Sequence, residues 1–382
     1  MIYLDYAAAT PVGAKVLAAM LPYFRENFYN PSAAYLAAKN VREDLENARH
    51  DVAMVLGARP AEIIFTAGAT ESINLALGGA DGAVLTTAIE HDAVLNFAKN
   101  CENSRIIPVQ SNGLISPEIL RENITDDIKI VSVGYANNEI GTVQNLREIA
   151  EIVRKVRDDR HARNVENPLF FHTDASQAAG FLDLNVARLG VDLATLNAAK
   201  CYGPKQVGLL YVRAGVKLKP LFFGGGQEMN LRSGTENVAG AVGFAKALIL
   251  AEKHRFSEVK RLRELRDDLE KFIAREFPDA IINGAKKSRL PNILNFSLPN
   301  LDGERAVFAL DARGVMVATG SACAANSGVR SHVLTAIGLS PQIADGSLRI
   351  SLGRPTTRAE IDEVKPIFAE ILREQLKFGS QK

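Results

Sequence analysis

Several things are scarce or missing in this 382-residue sequence, and each absence closes off a class of function. There are three cysteines, Cys101, Cys201 and Cys323, with no CxxC pair and no Cys/His spacing of the kind that holds zinc. That excludes a disulfide framework and leaves no metal site to name. Sparse, odd-numbered thiols fit a reducing compartment, so a cytoplasmic protein is expected. Charge of one sign is also missing: 45 Lys and Arg face 44 Asp and Glu, a formal net charge of +1. Bulk electrostatics therefore offer no reason for direct nucleic-acid binding or for attraction to an anionic membrane. No apolar run is long enough to span a bilayer, because the best, "VAGAVGFAKALILAEKH", is interrupted by Lys246. Asp5 stands where a secretory signal needs an apolar core, so no targeting segment is expected. Internal repeats, low-complexity tracts and Pro-rich linkers are absent, which predicts closely packed domains.

What is present is the pattern of an ordinary globular enzyme, 47% hydrophobic and 23% charged. The length suggests about two or three domains. Through the first 250 or so residues, strand-like runs alternate with helical patterns. "EIIFT", "AVLTTA", "RIIPV", "KIVSVGYA", "LFFHTDA", "DLATLNA" and "GLLYVR" read as strands. "VREDLENARHDVAMVLG" sets Val41, Leu45, Ala48, Val52 and Leu56 on one helical face and stops at Gly57, and "TESINLAL" starts a helix at Thr70. This rhythm predicts an α/β fold with a mostly parallel sheet and helices on both faces. Near residue 255 the pattern changes to a long amphipathic helix, "RFSEVKRLRELRDDLEKFIAREFP", then short strands and a last helix capped by Thr357 and Glu360, which reads as a smaller α+β domain.

In open α/β sheets, functional residues gather at the carboxyl ends of strands. Here those ends carry "AGATES", then Ile89-Glu90-His91, then Asn137-Asn138-Glu139, then Asp174 and Gln177, then Lys200. Taken singly, each has a bland reading: a helix N-cap, a structural histidine, a polar turn, a capping aspartate, a solvated lysine. Taken together they describe a pyridoxal phosphate (PLP) site. A lysine condenses with the cofactor's aldehyde, a carboxylate keeps the pyridine nitrogen protonated, a flat side chain covers the ring, and helix N–H groups hold the phosphate.

From end to end the sequence resembles the cysteine desulfurases of the class V aminotransferase group. The resemblance is carried by "YLDYAAATPV", "FTAGATESINLA", "IEHDAVL", "NNEIGTVQ", "HTDASQAAG", "KCYGPKQVGLLYVR", "GGGQEMNLRSGTEN", "ATGSACAANSG" and "SLRISLGR". It implies the aspartate aminotransferase-like PLP fold (fold type I). A large domain with a mostly parallel seven-stranded sheet would span 15–255, and a small domain made of 1–14 and 256–382 would carry the nucleophile cysteine loop. It implies that Lys200 binds the cofactor, that His91 stacks on the ring, and that Asp174 meets the pyridine nitrogen and Gln177 the ring hydroxyl. It implies that Ala69, Thr70 and Asn197 hold the phosphate, that Asn138 lies beside cofactor and substrate, and that Arg349 binds the substrate carboxylate. Thr235 would reach the partner subunit's phosphate, which makes the protein a homodimer. Cys323 would take sulfur from L-cysteine as a persulfide, leaving L-alanine, and pass it to iron–sulfur scaffold or other acceptor proteins, or toward tRNA thiolation. Cys201 reads as a packing residue.

Three positions depart from the group's pattern. Asn197-Ala198-Ala199-Lys200 stands where the group has Ser-x-His-Lys, Tyr35 stands where "NPSAAY" would end in His, and Gln206 replaces a glycine. Ala199 has no group to offer a phosphate, so weaker PLP binding is expected. Two other readings remain beside the desulfurase: a selenocysteine lyase or other class V β-lyase, and a degenerate, non-catalytic assembly scaffold.

Overall fold

A computed structural model describes residues 1–320 and 330–379. Strand β1 (Ile2–Tyr3) opens the chain. The next seven strands are β2 (Ile63–Thr66), β3 (Ala83–Thr87), β4 (Arg105–Ile107), β5 (Ile128–Ser132), β6 (Phe170–Asp174), β7 (Leu193–Asn197) and β8 (Gly208–Val212). They form one sheet in the order β2-β8-β7-β6-β5-β3-β4. Pairing is parallel from β7 through β6, β5 and β3 to β4, while β8 runs antiparallel to both neighbours, β2 and β7. Helices cover both faces, so the strands are buried runs such as "AVLTT" rather than alternating ones. The seven expected strands are the seven observed.

The helix Leu36–Leu56 buries Val41, Leu45, Ala48, Val52 and Leu56, the expected face. It ends at Gly57, whose φ of 64° is a left-handed turn that glycine adopts without a Cβ clash. The helix after β2 starts one residue earlier than expected, at Ala69, with Gly68 as its N-cap.

A second assembly follows. β9 (Ile281–Ile282), β10 (Ile293–Ser297) and β12 (Ser347–Ser351) form an antiparallel sheet in the order β12-β10-β9, and β11 (Val315–Met316) pairs with β1. One apolar core gathers Val16 to Ala251, and another gathers Ile2 and Leu4 with Leu262 to Leu372. The apolar stretch and the amphipathic stretch on either side of residue 255 are a single 39-residue helix, Val238–Glu276. Its first half packs in the first core and its second half in the other. At 1.5 Å per residue it is a rod of about 58 Å. The sequence shifts from apolar to charged along it because its surroundings shift, not because the helix stops. The last helix, Arg358–Gly379, begins at the expected capping box: Thr357 N–H bonds Glu360 at 2.7 Å, and Glu360 N–H bonds Thr357 Oγ1 at 3.2 Å.

Candidate active site

The carboxyl ends of β5, β6 and β7 and the start of the helix Ala69–Ala80 surround one cavity. Ala69, Thr70, His91, Asn138, Asp174, Gln177, Asn197, Lys200 and Arg349 all line it. They come from segments as far apart as Ala69 and Arg349. One expected residue is elsewhere: Thr235 lies in a separate groove with Gln206 and Arg232. Cys323 falls outside the described residues.

Lys200 sits one short turn beyond β7. Its Nζ donates to the carbonyl oxygens of Ala7 at 2.8 Å and Ala8 at 2.7 Å, so the N-terminal segment holds the amine at the cavity. Gln177 Nε2 donates to the same Ala7 oxygen at 3.0 Å, which commits one of its two amide hydrogens. Asp174 ends β6, and its Oδ1 accepts the Ser176 N–H at 2.9 Å. His91 caps the helix Asp92–Lys99, its Nδ1 accepting the Ala93 N–H at 3.1 Å. A neutral His91 ring therefore carries its proton on Nε2. The next residue after Lys200, Cys201, is fully enclosed in the first core, and burial pushes its thiol up to about 12, so it packs and does not react.

Arg349 is 1% exposed, one of the largest buried side chains. One terminal nitrogen donates to Asp5 Oδ1 at 2.6 Å and the other to the Asn138 carbonyl at 3.1 Å, while its Nε has no partner among the described residues. Asp5 is a site residue that the sequence did not disclose. A lone aspartate in the apolar start "MIYLDY" was its signal, but its partner is far off in sequence.

Two buried titratable groups lie at the cavity: Glu90 lines it, and His172 sits behind it on β6. Glu90 accepts from Thr87 Oγ1 at 2.7 Å and from the Gly134 N–H at 2.8 Å. Burial, with the Asp174 carboxylate adding to it, still pushes Glu90 up to about 8. His172, two residues before Asp174 on β6, bonds Ser132 Oγ at 2.9 Å and Thr195 Oγ1 at 3.0 Å, and burial pushes it down to about 4.

This donor set fits PLP. An amine and a carboxylate share the cavity with an imidazole and the start of a helix. The N-cap Gly68 has φ +139°, and a Cβ there would meet nothing within 4 Å, so the space in front of the helix N–H groups is open. The close passage of Gly208 against Gly68, where a Cβ would stand 2.6 Å from backbone, fixes that turn against β8.

Comparison with known proteins agrees. The class-V aminotransferase family model matches residues 2–364. A cysteine desulfurase IscS of Dictyoglomus turgidum is 40% identical, the alignment covering 97% of this chain and 94% of the relative. A cysteine desulfurase IscS of Methanosarcina thermophila is 41% identical over 97% of this chain and 92% of its own. Among solved structures, a NifS-like protein superposes with a TM-score of 0.88 at 35% identity, covering 97% of this chain and 99% of the other. Sequence motifs, fold and cavity thus lead to one conclusion: the chain belongs to the class-V aminotransferase family of PLP-dependent enzymes.

Proposed function

We propose that this enzyme is a cysteine desulfurase that takes sulfur from L-cysteine, releases L-alanine and passes the sulfur to acceptor proteins. The observation that supports this most directly is the convergence of Lys200, Asp174, His91 and Arg349 on one cavity in a chain about 40% identical to cysteine desulfurases. Lys200 would hold the cofactor, Asp174 the pyridine nitrogen, Gln177 the ring hydroxyl, and Ala69, Thr70 and Asn197 the phosphate. Bound there, PLP supplies a ring that accepts the electrons left when a Cα–H bond breaks.

The chain's own residues do the rest. Arg349 binds the substrate carboxylate with a planar, two-pronged guanidinium, and its bonds to Asp5 and the Asn138 carbonyl fix the plane of that fork. Lys200 takes the Cα proton onto Nζ, and His91 covers the ring. The Cys323 thiolate attacks the substrate sulfur. The S–S bond forms as the Cβ–S bond breaks, the electron pair goes to Cβ and takes up a proton there, and Lys200 returns a proton to Cα to complete alanine. Cys323 keeps the sulfur as a persulfide for an iron–sulfur scaffold or another acceptor, including one that feeds tRNA thiolation.

A homodimer is part of this reading. Phe24, Phe28, Leu36 and Phe223 are 61%, 66%, 73% and 87% exposed, apolar surface that a partner subunit would cover. Thr235 would serve the partner's site from its separate groove. Among the described residues no helix is long and apolar enough to cross a membrane. The three thiols favour the cytoplasm.

The test is the visible spectrum with PLP, followed by alanine release from L-cysteine, for wild type and Cys323→Ser. A yellow protein that releases alanine only when Cys323 is intact is the expected result. A colourless, inactive wild type would favour the scaffold reading. Turnover of L-selenocysteine but not L-cysteine would favour the lyase.

A further inference from the structure

The segment that carries Cys323 runs between Gly320 and Arg330, and Gly320 and Ser331, at its two roots, come down beside one buried carboxylate. Glu139, 1% exposed, directly follows Asn138 in the loop after β5. Its Oε2 accepts a hydrogen bond of 2.6 Å from Ser331 Oγ. The same oxygen lies 3.1 Å from where a Cβ on Gly320 would stand, so the first root passes close over it. Ser331 has a second task. Its Oγ accepts the Leu334 N–H at 3.1 Å as N-cap of the short helix His332–Ala336. One hydroxyl both starts that helix and ties it to Glu139. The next residue adds another tie: His332 Nε2 donates to the Glu90 carbonyl at 2.9 Å. Val333, Leu334 and Ile337 then pack with Ile89 and Ile140 in an apolar cluster of their own. Ile89 and Ile140 belong to the loops that carry His91 and Asn138.

A buried carboxylate is costly unless it is hydrogen-bonded, and stability alone would be served as well by an apolar pair. What a charge-assisted bond adds is a single geometry. Resting on the proposed function, we propose that Glu139 and Ser331 form a joint that sets where the Cys323 segment stands relative to the cavity, which makes Glu139 a positioning residue for sulfur transfer. It does not touch the reacting atoms. It fixes the loop of Asn138 and the two roots to one another.

Glu139→Gln and Ser331→Ala test the joint. Both variants should take up PLP and change colour with L-cysteine as wild type does, with KM within about twofold, while kcat falls on the order of tenfold to a hundredfold, the usual effect of a misplaced group. The double variant should fall no further than the worse single one, because both remove the same bond. Ser331→Thr, which keeps the hydroxyl, should recover most of the rate. Amide hydrogen exchange across 332–337 should quicken in both single variants and stay unchanged across 195–212. A kcat within about twofold of wild type in both variants overturns the proposal, and so does a loss of PLP uptake that parallels the loss of rate. If Glu139→Gln does not fold, Ser331→Ala decides alone. If wild type releases no alanine, the desulfurase reading fails, and exchange across 332–337 still decides the joint: unchanged exchange overturns it.

Discussion

On the side of the cavity that carries the amine, the carboxylate and the guanidinium, Asp174, Lys200, Gln177 and Arg349 are each held by a named partner. Asp174 accepts from Ser176, Lys200 and Gln177 donate to the carbonyls of Ala7 and Ala8, and Arg349 bridges Asp5 and the Asn138 carbonyl. The opposite end, at the start of the helix Ala69–Ala80, is built differently. It offers an open helix N-terminus, the hydroxyl of Thr70, and an Asn197 whose Oδ1 is already taken by the N–H of Ala199 at 3.1 Å, a neighbour that has only a methyl group and is not among the residues lining the cavity. Proton transfer and carboxylate recognition need particular functional groups in particular places. A phosphate can be held largely by backbone N–H groups, which any sequence supplies. On the proposed roles, the first end should tolerate substitution less than the second, which carries the departures Asn197 and Ala199.

Substitutions at the two ends should then differ in kind, and the largest effect belongs to the first end. Lys200→Ala should give a protein with no yellow band on addition of PLP and no alanine release. Alanine release at the wild-type rate would remove Lys200 from the mechanism and with it the contrast between the ends. Next is Arg349→Ala. Losing a charge-assisted pair costs about 1.5–3 kcal/mol, which is a rise in KM for L-cysteine of roughly tenfold to a hundredfold. Arg349→Lys should recover little, because an ammonium cannot bond Asp5, the Asn138 carbonyl and a carboxylate in one plane. Steady-state kinetics on both variants, with an unchanged KM for either, would show that the carboxylate is held by other groups.

At the phosphate end the same kind of change should improve matters. Ala199→His restores a donor where the protein has a methyl group, so it should tighten PLP by about tenfold, the equivalent of one charge-assisted bond of about 1.5 kcal/mol. PLP titration of the apo protein compares the two. Equal or weaker binding by the variant would mean that backbone donors and Asn197 already satisfy the phosphate.

The same contrast explains what could be read from the sequence. The seven strands of the main sheet were legible because buried parallel strands are continuous apolar runs, and the site was legible because polar residues directly follow them. The unity of the helix Val238–Glu276 was not, because its composition changes where it passes from one core to the other. Asp5 and Ser331 were not, because their roles rest on bonds to Arg349 and Glu139, across most of the chain in one case and half of it in the other. The Glu90 carboxyl was visible only as the neighbour of His91. Its burial, which decides its charge, is a property of the fold. Sequence discloses the groups that must be there. It does not disclose what holds them.

Gln206 offers the smallest and sharpest test of where the phosphate end stops. It follows the Gly-Pro-Lys turn after Lys200 and has φ 58°, in the left-handed region that suits glycine. For a residue with a Cβ that conformation costs roughly 1–2 kcal/mol, and glycine's greater freedom in the unfolded chain offsets about 0.4–1 kcal/mol of the relief. Gln206→Gly should therefore stabilise the apo protein by about 0.5–1 kcal/mol, read as a higher denaturation midpoint with an unchanged slope. Gln206 is exposed, lines the groove of Thr235, and is not among the residues that line the cavity with Lys200. Its replacement should leave the affinity for PLP where it was. A stabilised variant with unaltered PLP binding would confine the end to Ala69, Thr70, Asn197 and Ala199. A stabilised variant that binds PLP more tightly would extend it across the turn into the Thr235 groove, and the two ends would then differ in reach as well as in material.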